Sequence, residues 1–153
     1  MSTLRLLSLA AMSMLVASFS CKKTDETPCP EGPVTFVLPA NWNYSPYCFA
    51  TPVAGAQAQT YVINSDVELQ ALNHCNTSPV IDFSRYTLLA GKTKTASCSS
   101  VESQQVTQAC ATGYTYHVKL VAGLCQASTE VMYCVLVPKI PVGTAVAFDV
   151  QLP

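Results

Sequence analysis

Cysteines and histidines are the residues of this chain whose types could do chemistry, because a thiol enzyme pairs an accessible thiolate with a nearby base. The 153 residues include eight cysteines and two histidines. Cys75, with His74 or His117, supplies the only parts for such a pair. His74 ends a predicted helix, where a histidine often contacts carbonyl groups or solvent, and His117 lies on the polar face of a predicted strand. The sequence therefore predicts no catalytic residue, with an envelope hydrolase or a thiol-dependent enzyme as the alternative.

Sites for metals, cofactors and nucleic acids are not predicted either. The cysteines and histidines form no Cys-x-x-Cys or His-x-x-x-His pair of the kind that binds zinc. The glycines stand singly, which excludes a glycine-rich phosphate loop, and no Gly-x-Ser-x-Gly elbow occurs. Eight basic residues against nine acidic ones give no positive surface for nucleic acid. The prediction is a protein without metal, cofactor or nucleic-acid partner.

The N-terminal segment has the layout of a secretory signal. A short basic stretch, residues 1–5, precedes an apolar run over 6–16 and the small residues Ala17, Ser18 and Ser20. The apolar run is too short for a membrane-spanning helix, which needs about 20 residues. Eight cysteines in a chain with only 11% charged residues also favour an exported protein in an oxidising compartment.

Residues 17–21, Ala-Ser-Phe-Ser-Cys, resemble the lipobox of bacterial lipoproteins, and the lysines that follow are similar to those of Bacteroidota-type lipoproteins. The family pattern prefers leucine where Ser18 stands. The resemblance implies that the signal peptide 1–20 is removed and that Cys21 is acylated, with palmitate among the chains. The protein would then be anchored to the outer membrane, on its periplasmic or surface face. The rival interpretation is an ordinary secreted protein with glycosylation at Asn43 and Asn76.

A lipidated Cys21 leaves seven cysteines, so at least one stays outside intramolecular disulfides. A hairpin centred on residues 112–113 places Cys98 near Cys125, which makes this the first predicted pair. Cys29–Cys48 is the second predicted pair and would tie the N-terminal segment to the domain. Cys134 lies in the most apolar strand and is the candidate for the remaining thiol. Nothing in the sequence decides the partners of the other two cysteines.

The elements that must position these residues are mostly strands. Residues 21–39 are rich in proline and charge and are predicted to be a tether, followed by a single β-rich domain over 40–153. Ser65 and Glu68 form a capping box at the start of one short helix. Strands are predicted at 34–38, 60–63, 86–92, 101–109, 114–121, 131–137 and 145–152. The predicted fold class is α+β, mainly β, with an antiparallel, meander or sandwich-like sheet and stabilising disulfides.

Two segments are candidate binding surfaces. The aromatic residues Trp42, Tyr44, Tyr47 and Phe49 form either a loop folded over the core, which is favoured, or an exposed patch. Residues 101–109 are polar at nearly every position, which predicts an edge strand or a solvent-lined strand. As an open edge, it could accept another strand. Residues 131–137 are apolar on both faces, which is typical of a central strand.

Three stretches, 61–65, 81–89 and 131–139, are similar to the C-terminal domain of PrcB-type protease-complex subunits. The similarity covers residues 60–152, but those domains carry a glycine-rich segment where residues 94–100 are rich in Ser, Thr and Cys. The resemblance implies a non-catalytic domain that stabilises or regulates another envelope protein, such as a protease. No catalytic residue carries over. The predicted function is therefore a membrane-anchored exported lipoprotein that acts as a binding or accessory domain.

Overall fold

The structure, a computed structural model, describes residues 29–40, 45–49, 58–75 and 78–153. The predicted signal peptide, Cys21, Trp42 and Tyr44 lie outside these ranges. The described elements are β1 (Gly32–Val34), a short 3-10 helix (Pro46–Cys48), β2 (Ala58–Ile63), α1 (Asp66–Leu72), β3 (Tyr86–Thr95), β4 (Ser99–Ala109), β5 (Gly113–Ala122), β6 (Thr129–Pro138) and β7 (Val146–Gln151). The predicted class, mainly β with one short α-helix, is confirmed.

Two sheets stack face to face and enclose the main core. One sheet has the order β1-β4-β5-β7 and the other β2-β3-β6. Strict alternation along β5 explains the packing: Tyr116 and Val118 are buried between the sheets, while Thr115 and His117 point outward. The inter-sheet core consists of Leu89, Val106, Tyr114, Tyr116, Val118, Leu120, Val131, Tyr133, Val135, Val137 and Ile140.

Helix α1 covers the other face of the three-stranded sheet and creates a second, smaller core. Ser65 caps the helix by accepting a hydrogen bond from the Glu68 backbone N–H at 3.2 Å. The capping places Leu69 against the sheet. This core consists of Phe49, Ile63, Leu69, Ile81, Leu88, Ala90, Met132, Cys134 and Leu136.

Strand β6 shows why the prediction of a central strand over 131–137 was wrong. Both of its faces are buried because one contacts the four-stranded sheet and the other contacts the α1 layer. In its own sheet, however, β6 is at the end of the order β2-β3-β6. Its apolar pattern is therefore explained by the layers that cover its two faces. It does not indicate that β6 has a strand on each side.

The N-terminal part of the described chain joins the two sheets. Cys29 is bonded to Cys110, and β1 pairs with residues 106–108 of β4. Further along, Val37 and Leu136 of β6 exchange two backbone hydrogen bonds of 3.0 and 2.8 Å. The predicted boundary between tether and domain at residues 39 and 40 is therefore wrong, since residues 29–37 belong to the fold. Pro33 is compatible with β1 because an edge strand does not need every backbone N–H.

The neighbours of β4 and β7 also differ from the sequence prediction. Strand β4 was predicted to be an edge strand or a solvent-lined strand, and it is not an edge because it lies between β1 and β5. Its polar pattern arises because its outward face meets solvent. Strand β7 pairs in parallel with β5, with His117 beside Asp149. This pairing is the one exception to the antiparallel arrangement of the described strands.

Candidate functional site

The cysteines needed for thiol chemistry are mostly in disulfides. Cys75 is bonded to Cys48, so the nucleophile of the thiol-enzyme alternative does not ionise while this bond is intact. The predicted pairing of Cys29 with Cys48 is wrong. The Cys48 carbonyl accepts a hydrogen bond of 2.8 Å from the His74 backbone N–H, which brings Cys48 beside Cys75 instead.

The remaining cysteines are arranged by the strands. Cys98 is bonded to Cys125 at the open end of the β4–β5 hairpin, the place where the hairpin register predicts a bond. Cys134 is in none of the three disulfides and is buried in the α1-side core, with 1% of its surface exposed. A buried sulfur in apolar surroundings is chemically inert compared with an exposed thiolate.

The aromatic segment is divided between core and surface. Phe49 is 1% exposed and packs against Tyr61, with their ring centroids 5.5 Å apart, so it is not part of a binding surface. Burial also raises the pKa of the Tyr61 hydroxyl. Tyr47, by contrast, is 84% exposed. The buried Lys92 amino group anchors this segment by donating to the Pro46 carbonyl at 3.4 Å.

The same Lys92 ammonium, which donates to Pro46, also lies 3.2 Å from Glu130 Oε2. Because the charge is paired, it is compatible with burial. Lys92 is therefore explained as a structural anchor of the 3-10 helix.

The outward face of the four-stranded sheet carries polar side chains with a common orientation. Each of its members pairs across the ladder with another outward residue, and all eight end in hydrogen-bonding groups. They are Ser103, Gln105 and Thr107 on β4, Thr115, His117 and Lys119 on β5, and Asp149 and Gln151 on β7. We call this set the polar face. A depression of about 240 Å³ on it is lined by residues of all three strands.

His117 occupies the middle of the polar face and is held from both sides. Its Nδ1 lies 3.0 Å from Asp149 Oδ2, and its Nε2 lies 3.2 Å from Thr107 Oγ1. With the carboxylate accepting from Nδ1–H, the Thr107 hydroxyl donates to Nε2. The imidazole is consequently fixed in orientation. The sequence placed His117 on a polar face correctly, but its two partners lie on other strands.

This Thr–His–Asp chain has the connectivity of a hydrolase triad, but the backbone of the sheet does not supply the second requirement, an oxyanion hole. Acyl transfer depends on donors aimed at the developing oxyanion. Backbone N–H groups of paired strands lie in the plane of the sheet and point toward neighbouring strands, not toward the polar face. Donors to an oxyanion would therefore have to come from side chains of the polar face.

Three described strands, β1, β2 and β7, have a hydrogen-bonded neighbour on one side only. Strands β2 and β7 lie at the far end of their sheets from the segment around Val37 that joins the sheets. Val62 of β2 belongs to the inter-sheet face, since it pairs with the core residue Leu89, yet it is 39% exposed. Phe148 of β7 is likewise only partly buried. The inter-sheet core is therefore incompletely covered on this side.

Within the described ranges, no three His, Cys, Asp or Glu residues are grouped closely enough to hold a metal ion. No helix in these ranges has the length and apolar character that crossing a membrane requires. The chain matches no protein-family model, no curated protein and no solved structure.

Proposed function

We propose that this chain is an exported lipoprotein, anchored to the outer membrane through Cys21, whose β domain binds another envelope protein without catalysing a reaction. The partner class that the sequence resemblance favours is an exported protease, which the domain would stabilise or regulate. The observation that carries the binding role is the open side of the sandwich at β2 and β7. Three disulfides in the described fold support a protein that works in an oxidising compartment.

Binding would proceed by strand addition at the β7 edge. An unpaired edge offers backbone donors and acceptors to an extended segment, and adjacent pockets then supply specificity. On the open side, Val62 and Phe148 provide apolar surface that an added strand would cover. This surface replaces β4 as the proposed edge, because β4 already has neighbours on both sides.

Affinity purification of the tethered protein from membranes tests the binding role. An exported protease is expected among the recovered proteins. Val62→Asp is expected to lower its recovery about tenfold, since burying an unpaired carboxylate easily removes about 1.4 kcal/mol of binding. Val67→Asp is the matched control, because Val67 is 76% exposed on α1. Equal recovery with both variants, or recovery of no protease, would contradict the proposal.

A separate experiment tests the lipid anchor. Mass spectrometry of the membrane fraction is expected to find an acylated N-terminus at Cys21, and Cys21→Ser is expected to release the protein from membranes. Two or more acyl chains hold a protein firmly, whereas one chain binds only marginally. A soluble wild-type protein cleaved after Ser20 and carrying no lipid would disprove the anchor while leaving the binding role intact.

A further inference from the structure

The polar face has features of a ligand site that strand addition at the β7 edge does not use. Its depression of about 240 Å³ is lined by Ser103, Gln105, His117, Val118, Lys119 and Gln151. Gln105 stands opposite His117 on one side, and Gln151 stands beside Lys119 on the other. Two side-chain amides therefore flank the central strand, one on each neighbouring strand.

These amides are available to a ligand. Within the part of the chain that the structure describes, neither the Gln105 nor the Gln151 side chain is hydrogen-bonded to another protein group, and the same holds for the Ser103 hydroxyl. An amide presents two donors and an acceptor with two lone pairs, and a hydroxyl both donates and accepts. The depression thus offers donors and acceptors in alternation.

The lysine charge on this face is already paired, since the Lys119 amino group lies 2.8 Å from Glu102 Oε2. The His117 ring lies 3.0 Å from the Asp149 carboxylate. The β-bulge between Val101 and Ser103 places Glu102 at this position. No uncompensated positive charge is left for phosphate, sulfate or a carboxylate, so a neutral ligand fits better than an anion.

We propose that the polar face binds a neutral sugar, one hexose or N-acetylhexosamine residue of a glycan occupying the depression between Gln105 and Gln151. Sugar hydroxyls both donate and accept, which matches the alternation of groups on the three strands. The rigid sheet and the doubly held His117 keep these groups in place before binding, which lowers the ordering cost. This ligand is additional to the proposed protein partner and uses a sheet face rather than an edge.

The affinity for a single residue is expected to be weak. The lining of the depression contains no Phe, Tyr or Trp ring for stacking, so binding depends on hydrogen bonds that each contribute modestly. A dissociation constant in the millimolar range follows from a few such bonds. Clustering of many lipid-anchored copies on one membrane would increase the avidity for a polymeric glycan.

NMR titration of the isotope-labelled protein tests this site. The probes are hexasaccharides of α-1,4-glucose, β-1,4-glucose, mannose and N-acetylglucosamine, with phosphate and sulfate as anion probes. At least one hexasaccharide is expected to shift the side-chain amide signals of Gln105 and Gln151 in a saturable manner. Phosphate and sulfate are expected to leave these signals unchanged. Gln105→Ala and Gln151→Ala are each expected to weaken binding about three- to tenfold. Gln70→Ala on α1 is the matched control and should bind normally.

Three outcomes would overturn the sugar site. The first is that none of the four hexasaccharides shifts these signals. The second is that phosphate or sulfate shifts them instead, which would mean that the face binds anions. The third is that Gln70→Ala weakens binding as much as the variants on the polar face. The chemical-shift changes are measured on the wild-type protein, so the test remains valid even if a variant folds poorly.

Discussion

Gly91 and Tyr133 face each other across β3 and β6, and the glycine makes room for the ring. A Cβ at position 91 would lie 2.6 Å from Tyr133 Cζ and Oη, far inside van der Waals contact. The backbone of Gly91 is outside the left-handed region, so alanine would be strained only by this contact. The Tyr133 hydroxyl is in turn 3.1 Å from Thr93 Oγ1. The glycine is therefore a packing requirement of the inter-sheet core.

Gly91→Ala is expected to lower the free energy of unfolding by about 1–3 kcal/mol, the usual cost of overpacking a core. The same substitution in a Tyr133→Val background should lower the free energy of unfolding much less, because the ring that the new methyl group would contact is absent. Chemical denaturation of the four proteins in this cycle gives the coupling energy. If the two costs are equal, the contact between residue 91 and the ring is not the cause.

The ionisation of Tyr133 makes stability depend on alkaline pH. Burial raises the pKa of Tyr133 above the ordinary value of 10.0, and the hydrogen bond from Thr93 opposes this only in part. The stabilisation from the neutral phenol is fully present below pH 10 and is lost as pH rises from there through the raised folded-state pKa. The unfolding free energy should therefore fall above pH 10. Tyr133→Phe should reduce this slope, and an identical slope in both proteins would contradict the assignment.

At the scale of elements, helix α1 depends on its cap because seven residues are too few for independent stability. Ser65 accepts from the Glu68 N–H, and the Glu68 carboxylate accepts from the Asn64 N–H at 2.5 Å. The acidic residues Asp66 and Glu68 also suit the positive end of the helix dipole. Together these contacts hold Leu69 in the α1-side core.

Ser65→Ala is expected to destabilise α1 by about 0.5–2 kcal/mol, whereas Ser65→Asp should keep most of the cap. Hydrogen exchange measures the effect at two helical amides, those of Leu69 and Asn73, which donate at 3.1 and 2.9 Å to the carbonyls of Ser65 and Leu69. Their exchange should be about 2- to 30-fold faster in Ser65→Ala. Equally fast exchange in Ser65→Asp would show that the cap is not responsible.

The elements that could be predicted from the sequence are those with local causes. The alternation along β5 and the capping box of α1 depend on residues a few positions apart, and both are present. The neighbours of a strand depend on distant residues instead. For this reason the sequence leaves β4 open between an edge strand and a solvent-lined one, wrongly predicts a central position for β6, and does not predict the parallel β5–β7 pairing.

The same distinction applies to the candidate sites. The Cys98–Cys125 disulfide can be predicted because both residues flank one hairpin. Cys29 and Cys110, in contrast, are 81 positions apart and meet through the β1–β4 pairing. His117 was assigned to the correct face from its period-2 pattern. Its partner Asp149 comes from a strand that reaches β5 through a long connection, so no local signal joins the two.

At the scale of the whole molecule, the fold is closed on one side and open on the other. Residues 29–37 cross from the four-stranded sheet to the three-stranded sheet and fill the gap beside β6. The Cys29–Cys110 bond holds the start of this segment, next to the proposed tether. A pull on the proposed membrane anchor would therefore be transmitted first to a covalent bond, at the side of the described fold opposite β2 and β7.

Removal of the disulfides should rank them by the length of chain that each one closes. The chain-entropy relation gives about 4.5 kcal/mol for a separation of 81 and about 3.5 kcal/mol for a separation of 27. The Cys29→Ser/Cys110→Ser variant should therefore lose more unfolding free energy than Cys98→Ser/Cys125→Ser, measured by urea denaturation under non-reducing conditions. In the first variant, amide exchange should also accelerate at Val34 and Val37 before global unfolding, because the crossing segment loses its covalent hold. If Cys98→Ser/Cys125→Ser proves the less stable protein, the hairpin bond rather than the N-terminal closure is the main covalent constraint on the fold.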